Sequence, residues 1–323
     1  MPFARRRLVA GTVFLVAAVL AGHAQTPPAA KKAPKPSMAE LWIDPPRGRD
    51  LFYGVGGRRL APDPSAVYKV IEIKASGFSD GYTVVGPDKR EWSAKLPPES
   101  STEIIASRIL WGIGYHQPPI YYLEEWKADG ADDANPQKSA RFREKHPDFH
   151  AIDEVGPWAY DDNPFVGTRQ LNGLLVYQVM LGNSDLKPNQ NVVYTLSRTV
   201  EGARRWYVSR DLGQTFGRTG MMGAPRGDID VFEQTPFITG VANGRVQFEY
   251  HGRHDQLFDN ITVADVNWIC RQLSRLTDRQ LADAFRAGGY TGPLANRFIR
   301  RLKQKIAEGL NLTSRSSTER RPS

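Results

Sequence analysis

Cysteine is nearly absent from this chain, and so are the short motifs of common zinc sites. Cys270 is the only cysteine in 323 residues, so no disulfide can form within the chain and a packed core must provide its stability. Neither a His-Glu-x-x-His sequence nor a Cys-x-x-Cys pair occurs, which excludes the usual zinc-protease and zinc-ribbon patterns. Cys270 belongs to the apolar face of a predicted helix, and this favours a buried, unreactive thiol.

Long hydrophobic runs are also absent, except near the N-terminus. Arg5-Arg6-Arg7 precedes an apolar run from Leu8 to Ala21, and Gly22-His23-Ala24 has the small-x-small pattern of a cleavage site. This pattern predicts a secretory signal peptide over residues 1–24, and hence a periplasmic or secreted protein. The run from Leu8 to Ala21 is shorter than the roughly 20 apolar residues that a spanning helix needs, so an uncleaved anchor is only the alternative interpretation. We expect no membrane span after cleavage. His23 stands where a lipoprotein would carry its lipidated cysteine, which argues against a lipid anchor.

The excess of positive charge does not belong to the folded part of the chain. The formal net charge is +8, but residues 1–37 and 314–323 together hold nine of the 43 basic residues and one of the 35 acidic residues. The remaining segment is balanced, and we expect no nucleic-acid binding, because that requires a basic surface on the domain itself. Residues 25–37 are rich in Pro, Ala and Lys and predict an extended linker, and residues 314–323 predict a disordered tail.

The first half of the folded chain predicts a small lobe built on a sheet. Three segments alternate apolar and polar side chains and are separated by turn sequences, which indicates an antiparallel meander: residues 68–75, 82–85 and 91–96. Residues 100–115 then carry apolar side chains at helical spacing. We expect an N-lobe over residues 38–127. Residues 128–165 sustain no period and predict a loop or insertion between two lobes.

The second half predicts a mainly helical C-lobe over residues 166–313. Residues 169–181 are apolar on nearly all sides, which is typical of a buried helix. Thr262 opens another helical run, and Thr277 with Gln280 has the pattern of a capping box. Together the two halves predict an α+β fold with a sheet-bearing lobe and a helical lobe.

Lone acidic and amide side chains stand at the ends of neighbouring apolar runs in the second lobe. The first group is Asp185-Leu-Lys187-Pro, which is followed by Asn191. The second group is Asp211-Leu-Gly213, and two predicted strands separate it from the first. A carboxylate can accept a hydroxyl proton, and carboxylate and amide oxygens can bind Mg²⁺. The pattern therefore favours a phosphate-transfer site.

These motifs, in a chain ordered as meander, helix, linker and helical lobe, resemble the protein-kinase-like superfamily, in particular its atypical phosphoinositide-type, HipA-type and secretory-pathway branches. The resemblance covers roughly residues 68–217 and implies a bilobal kinase-like fold with ATP and Mg²⁺ as cofactors. It implies that Asp185 is the catalytic base and that Lys187 steadies the transferred phosphate. Asn191 and Asp211 are the implied metal ligands.

In the N-lobe the same resemblance implies that Lys95 grips the nucleotide phosphates and that Glu103 is its acidic partner. The turn from Gly77 to Gly81 stands where the family has a glycine loop over the phosphates. The chain departs from the family pattern in two places. Asn183-Ser184 replaces the usual His-Arg, and Asn191 is the sixth residue after Asp185, where the family has its metal-binding Asn at the fifth. Asn189 is the alternative ligand.

Simpler interpretations exist for the two N-lobe residues. Lys95 can be an ordinary lysine of an edge strand. Glu103 can complete a capping box by accepting the backbone N–H of Ser100, which would leave Glu99 as the substitute partner for Lys95.

Simpler interpretations also exist for the C-lobe motifs. Asp185 and its neighbours can bond local backbone in a turn-rich loop, and Asp211 can merely end a strand. His251, His254 and Asp255 are close in sequence but lack a further spaced ligand pair, so we interpret them as a polar loop rather than a metal site.

Three functional hypotheses follow. The first is an exported kinase-like phosphotransferase that moves the γ-phosphate of ATP to a hydroxyl of an unidentified protein, lipid or small molecule. Since ATP is scarce outside the cytoplasm, the second is a pseudokinase, a module of the cell envelope that binds a ligand or partner protein without catalysis. The third is an adaptor with no cleft ligand, in which the aromatic segments 121–126 and 158–160 form partner surfaces.

Overall fold

The computed structural model describes residues 36–75, 78–131, 137–145, 153–221 and 223–313. The predicted signal peptide, the tail from residue 314 onward and Gly77 lie outside these ranges, as does the predicted linker apart from its last two residues. Within the described ranges, no helix combines the length and the apolar character that crossing a membrane requires.

The N-lobe is built on a sheet whose described strands are β1 (Val67–Lys74), β2 (Gly81–Val85), β3 (Glu91–Lys95), β4 (Ile120–Leu123), β5 (Lys127–Asp129) and β6 (Ala140–Glu144). They lie in the order β4-β6-β3-β2-β1-β5, and only the pair of β1 and β5 is parallel. The predicted meander is confirmed as β1, β2 and β3. Aromatic side chains cover one face of the sheet and form the core of this lobe: Tyr68, Tyr82, Trp92, Tyr121, Trp126 and Phe142.

The interval from 128 to 165 contains regular structure where the sequence predicts a loop. β6 is an inner strand of the sheet, between β3 and β4, and β7 (Asp153–Gly156) belongs to a second sheet. The apolar signal of β6 is short, because only Ala140 and Phe142 face the core. Its buried Arg141 is paired with a carboxylate from outside the strand, which no local pattern reveals.

Helix α1 (Ser100–Gly112) lies between the sheet and the helical lobe. Ile104 packs against Ile120 of β4, whereas Ile105 and Ile109 belong to the large core of the C-lobe. The helix ends slightly before the predicted limit, and Gly114 follows with a φ of +107°. A side chain at Gly114 would overlap neighbouring backbone, so the turn after α1 requires glycine.

The C-lobe contains the helices α2 (Arg169–Met180), α3 (Ile229–Gln234), α4 (Val263–Leu273), α5 (Asp278–Ala287) and α6 (Gly292–Leu310). Helix α2 is buried, as its sequence predicts. Both predicted N-termini are confirmed, since Thr262 with Asp265 and Thr277 with Gln280 each form a capping box. Cys270 is buried, as predicted, and burial raises the pKa of its thiol to about 12.

A second sheet, formed by β7, β8 (Asn191–Val200) and β9 (Ala203–Ser209), and a hairpin of β10 (Ile238–Ala242) and β11 (Arg245–Phe248) complete the described part of the C-lobe. The α+β class and the two-lobed arrangement are thereby confirmed. The aromatic side chains of the segments proposed as partner surfaces are mostly buried: Tyr121, Trp126, Trp158 and Tyr160. They belong to the core, which removes the reason for the adaptor hypothesis.

Candidate functional site

Lys95, at the end of β3, is surrounded by three carboxylates. Its Nζ lies 2.8 Å from Glu99 Oε2, 3.2 Å from Glu103 Oε2 and 2.5 Å from Asp211 Oδ1. Glu103 belongs to α1, and Asp211 follows β9 of the C-lobe, so the contact joins the two lobes. We call these four residues the Lys95 cluster. It contains the predicted ion pair of Lys95 with Glu103 and also Glu99, the substitute partner.

The position of Lys95 follows from the register of the sheet. Gly81 of the neighbouring strand β2 pairs with Lys95, and a Cβ at Gly81 would lie only 2.6 Å from the carbonyl oxygen of Ala94.

Glu103 does not cap α1, because Glu99 is the N-cap residue and the helix has no side-chain cap. Instead, Glu103 Oε1 lies 3.1 Å from Nε of Arg141 on β6. The capping-box interpretation of Glu103 is therefore wrong.

The charges of the Lys95 cluster stabilise one another. Burial alone would lower the pKa of Lys95, but Glu103, Asp211 and Glu99 outweigh it and raise the pKa above its ordinary value. Burial would likewise raise the carboxylate pKa values, yet Arg141 and Lys95 lower that of Glu103, and Lys95 lowers that of Asp211. All three groups are therefore charged at neutral pH.

The β1–β2 turn reaches across to the C-lobe. The Arg226 guanidinium makes a close ion pair with Glu99, and its carbon lies 3.6 Å from the centre of the Phe78 ring. Ser79 Oγ lies 3.4 Å from Glu99 Oε2. The letters Gly77 to Gly81 also spell Gly-x-Ser-x-Gly, but this serine lies in a strand-to-strand turn rather than the strand-to-helix turn of a hydrolase nucleophile. Gly77 itself is outside the described residues.

Asp211 has a strained backbone. Its φ is +60°, a left-handed conformation that is rare outside glycine and that concentrates at functional sites. Two residues later, a Cβ at Gly213 would lie 2.5 Å from Glu99 Cβ, so only glycine fits there. Thr102 of α1 donates to the carbonyl oxygen of Gly213 at 2.6 Å. These contacts fix the Asp-Leu-Gly turn against the start of α1.

Asp185 lies in the loop after α2 and has its own partners. Lys187 Nζ is 2.8 Å from Asp185 Oδ1, and Gln190 Nε2 donates to Asp185 Oδ2 at 2.8 Å. The backbone N–H of Asp185 donates to Asn183 Oδ1, and Asn183 in turn donates to Gln178 of α2. The buried Asn183 thus bonds local backbone, as the turn-rich-loop interpretation expects, and it also ties the loop to helix α2, which sequence reasoning missed.

Gln190 connects the two groups of residues. It is the fifth residue after Asp185, the position where the resemblance expects an Asn. Its side chain holds Asp185, and its carbonyl oxygen accepts from the backbone N–H of Arg210, the residue before Asp211. Gln190 therefore links the Asp185 loop to the segment that carries Asp211, although no hydrogen bond among the described residues joins the two carboxylates directly.

Asn191 is buried at the start of β8. Its Nδ2 donates to the Trp158 carbonyl oxygen at 3.1 Å, and its Oδ1 has no hydrogen-bond partner among the described residues. Its amide points to the segment that carries Trp158, and the structure records no contact with Asp211. Asn189, the alternative ligand, lies in the short 3₁₀ turn Pro188–Gln190.

The described residues contain no group of three His, Cys, Asp or Glu side chains that could hold a metal ion by themselves. His251 pairs with Glu249, with 2.6 Å between Nε2 and Oε1, as part of a polar loop. Magnesium is usually held by one or two carboxylates together with phosphate oxygens and water. The exposed fraction of the Asp211 side chain is 36%, so this carboxylate can supply one such ligand, whereas the buried Asn191 amide is directed at the segment that carries Trp158.

Arginines of β6 and of the second sheet were missed by sequence reasoning. Arg141 and Arg143 lie in an interval without apolar periodicity, where nothing local links them to a site. Arg210 donates to Tyr194 Oη at 3.1 Å and makes a close ion pair with Glu154. The one sequence signal is the Arg-x-Arg repeat at 141–143. Residues two apart on a strand lie on the same face, so the repeat predicts that both arginines share a face.

Several cavities among the described residues lie outside the Lys95 cluster. One, of about 730 Å³, opens between residues 45–53 and the α4–α5 corner. Another, of about 670 Å³, lies beside residues 218–221 and 223–225. Among these residues, Gly220 accepts from and donates to Ser184 Oγ, next to Asp185. The second cavity therefore adjoins the Asp185 loop.

No protein-family model matches this chain, and no curated protein matches it. Among solved structures, the chain is similar to a proinflammatory kinase of Helicobacter pylori, CtkA, with 12% sequence identity and a TM-score of 0.42. The similarity covers 74% of this chain and 91% of that chain.

Proposed function

We propose that this chain is a kinase-like phosphotransferase that binds ATP and Mg²⁺ between its lobes and transfers the γ-phosphate to a hydroxyl of an unidentified protein, lipid or small molecule. One observation carries the proposal. Lys95 of the sheet-bearing lobe contacts Asp211 of the helical lobe at 2.5 Å, with Glu103 of α1 behind it at 3.2 Å. A cation held by one carboxylate and facing another supports a site for phosphate and a divalent ion, in which the cation would bind phosphate and the second carboxylate the metal.

In this proposal Lys95 binds phosphate oxygens and Glu103 holds the lysine in place. Asp211 holds the metal together with the phosphates, and Asn191, or Gln190 beside it, supplies the amide oxygen. The bound ion would neutralise charge on the phosphates. The left-handed backbone of Asp211 supports this role, because strain of that kind persists where the surrounding contacts enforce it.

Asp185 is the proposed base. The acceptor hydroxyl oxygen forms a bond to the γ-phosphorus while the bond from that phosphorus to the β–γ bridging oxygen breaks, and ADP leaves. The hydroxyl proton passes to Asp185. Lys187 and Gln190 hold this carboxylate at 2.8 Å each, so it is positioned before a substrate arrives. Lys187 is close enough to exchange Asp185 for a phosphate oxygen.

Nucleotide binding tests the site. MgATP at 100 times its dissociation constant should stabilise the protein by about 2.7 kcal/mol, which a thermal melt detects. Asp211→Ala should abolish the shift, whereas Asp259→Ala, which removes an exposed carboxylate elsewhere in the C-lobe, should not. Absence of any shift with wild-type protein would reject the nucleotide site.

Transfer tests the chemistry. With γ-labelled ATP and a protein or lipid extract as acceptor, Asp185→Ala should keep the thermal shift and lose the incorporated label. Equal incorporation by the variant and the wild type would reject Asp185 as the base.

A second candidate is a pseudokinase that binds a ligand or partner in the same cleft without catalysis. Asn191 favours it, because its amide is directed into buried structure rather than at Asp211. The Asn183-Ser184 pair, in place of the usual His-Arg, points the same way. A wild-type protein that binds nucleotide but transfers no label would establish this alternative.

Export is part of both proposals. The N-terminal arginines and the apolar run after them motivate it. Cell fractionation should find the protein outside the cytoplasm, and removal of residues 1–24 should retain it inside. Recovery of the full chain only in the cytoplasm would contradict export.

A further inference from the structure

Arg143 points to the face of the N-lobe sheet that carries the Lys95 cluster. On β6 it pairs with Ser93 of β3 and with Ile120 of β4, while Arg141 pairs with Lys95 itself. Phe142, between the two arginines, faces the aromatic core on the other side. Side chains alternate along a strand, so Arg141 and Arg143 share the cleft face.

The strand register places Arg143 close to the Lys95 cluster. It lies two residues from Arg141 on the same face of β6, and Arg141 Nε is 3.1 Å from Glu103 Oε1. Charged groups of both lobes act on it in agreement with this position: it helps to lower the pKa values of Glu103 and Asp211, and Arg210 of the C-lobe helps to lower its own pKa.

Unlike its neighbours, Arg143 has no hydrogen-bond or ion-pair partner among the described residues. Arg141 is held by Glu103, and Arg210 is held by Glu154 and Tyr194. No hydrogen bond or ion pair of the Arg143 guanidinium occurs within the part of the chain that the structure describes. The residue is half-buried, so part of its surface is open to a ligand.

No carboxylate among the described residues makes a direct ion pair with Arg143, and the nearby arginines outweigh the influence of Glu103 on its charge. Burial and then repulsion by Arg141 and Arg210 lower its pKa to about 10. An arginine remains charged in proteins under these conditions, and an unpaired cation in such a place destabilises the empty protein. A ligand that brings negative charge would remove that cost, and a planar guanidinium suits two oxygens of a phosphate.

We propose that Arg143 is a ligand-binding residue whose guanidinium takes a phosphate oxygen of the nucleotide bound at the Lys95 cluster. The inference rests on the proposed function, because it assigns a second phosphate-binding cation to the same cleft. Arg143 acts on the bound anion, and Arg141 and Arg210 hold the surrounding carboxylates.

The test compares Arg143→Gln and Arg143→Lys with Arg204→Gln. Arg204 is an exposed arginine on β9, so its replacement removes the same charge without touching the cleft. Calorimetric titration measures the dissociation constants of MgATP, adenosine and inorganic tripolyphosphate, and thermal melting without ligand measures stability.

Arg143→Gln should raise the dissociation constants of MgATP and tripolyphosphate about tenfold or more and leave that of adenosine unchanged, since a charge-assisted hydrogen bond is lost. Arg143→Lys should recover part of the affinity. The melting temperature of the ligand-free Arg143→Gln protein should equal or exceed that of the wild type. A structural arginine would show the reverse, with lower stability and unchanged affinity.

Several outcomes separate this inference from the proposed function. MgATP binding that changes less than twofold in Arg143→Gln, or falls equally in Arg204→Gln, would overturn the role of Arg143 and leave the nucleotide site standing. Tripolyphosphate binding that requires Arg143, in a protein that does not bind MgATP, would keep the anion site and overturn the nucleotide. Binding of neither probe by the wild type would overturn both.

Discussion

Replacement of Lys95 by methionine should strongly destabilise the ligand-free protein. The Lys95 side chain is only 14% exposed and contacts three carboxylates, and removal of one partner from a buried ion pair costs about 3–5 kcal/mol. Two of the carboxylates keep another partner, since Glu103 retains Arg141 and Glu99 retains Arg226. Only Asp211 loses its ion-pair partner among the described residues, and it is partly exposed, so we expect the lower end, about 3 kcal/mol.

Urea unfolding and thermal melting, without nucleotide or divalent ion, measure this loss. At about 2–4 °C per kcal/mol for a domain of this size, the melting temperature should fall by roughly 6–12 °C. Lys145→Met is the matched control, because Lys145 makes a 2.6 Å ion pair with Glu91 on the same sheet but both side chains are partly exposed. That pair should contribute at most about 1 kcal/mol.

A double-mutant cycle locates the effect. Adding Asp211→Asn to Lys95→Met should restore part of the stability, with a coupling energy of at least about 1 kcal/mol between the two positions. A loss below about 1 kcal/mol for Lys95→Met, or simple additivity with Asp211→Asn, would show that the lobes are not held together through this contact.

Three further predictions concern stability. His116 is buried, and burial lowers its pKa to about 4, below the ordinary value of about 6.5. The free energy of unfolding should therefore be highest above pH 6.5 and fall by up to about 3 kcal/mol as the pH drops towards 4. His116→Gln should flatten this pH dependence in urea unfolding. Burial lowers the pKa of Lys305 to about 7, so the wild type should gain stability from pH 7 to pH 10, and Lys305→Met should lose that gain in thermal melts. Thr262→Ala removes a capping box and should cost about 1 kcal/mol in urea unfolding, whereas Thr291→Ala, at a cap without a side-chain bond, should cost a few tenths.

The sequence predicts the fold best where local signals are strong. The meander, α1, α2 and the capped helices α4 and α5 have clear periods, turn residues or capping boxes, and all are present. Strand β6 is different, because its polar members are stabilised by Glu103 and Arg90 from distant parts of the chain. A pattern of five residues cannot express contacts of that kind.

The site shows the same division. The pair of Lys95 and Glu103 and the approach of Asp211 follow from motif and order, and the structure brings them together. Several contributors were missed, and three of them illustrate why. Arg226 reaches Glu99 from 127 residues away, Gln190 takes the place expected for an Asn, and Arg143 lies in an interval that has no helical or strand signal. Their positions depend on how the lobes pack, which the spacing of residues along the chain does not encode.

Lys95 is already paired with carboxylates, so an anion that binds to it has to replace one of these partners. An incoming anion has to compete with Glu99, Glu103 and Asp211, which are already in place and effectively at very high local concentration. A singly charged ion such as chloride or acetate offers no advantage over them, whereas a multiply charged group does. We therefore expect Lys95 to bind multiply charged anions and to stay paired with its own carboxylates in ordinary salt solutions.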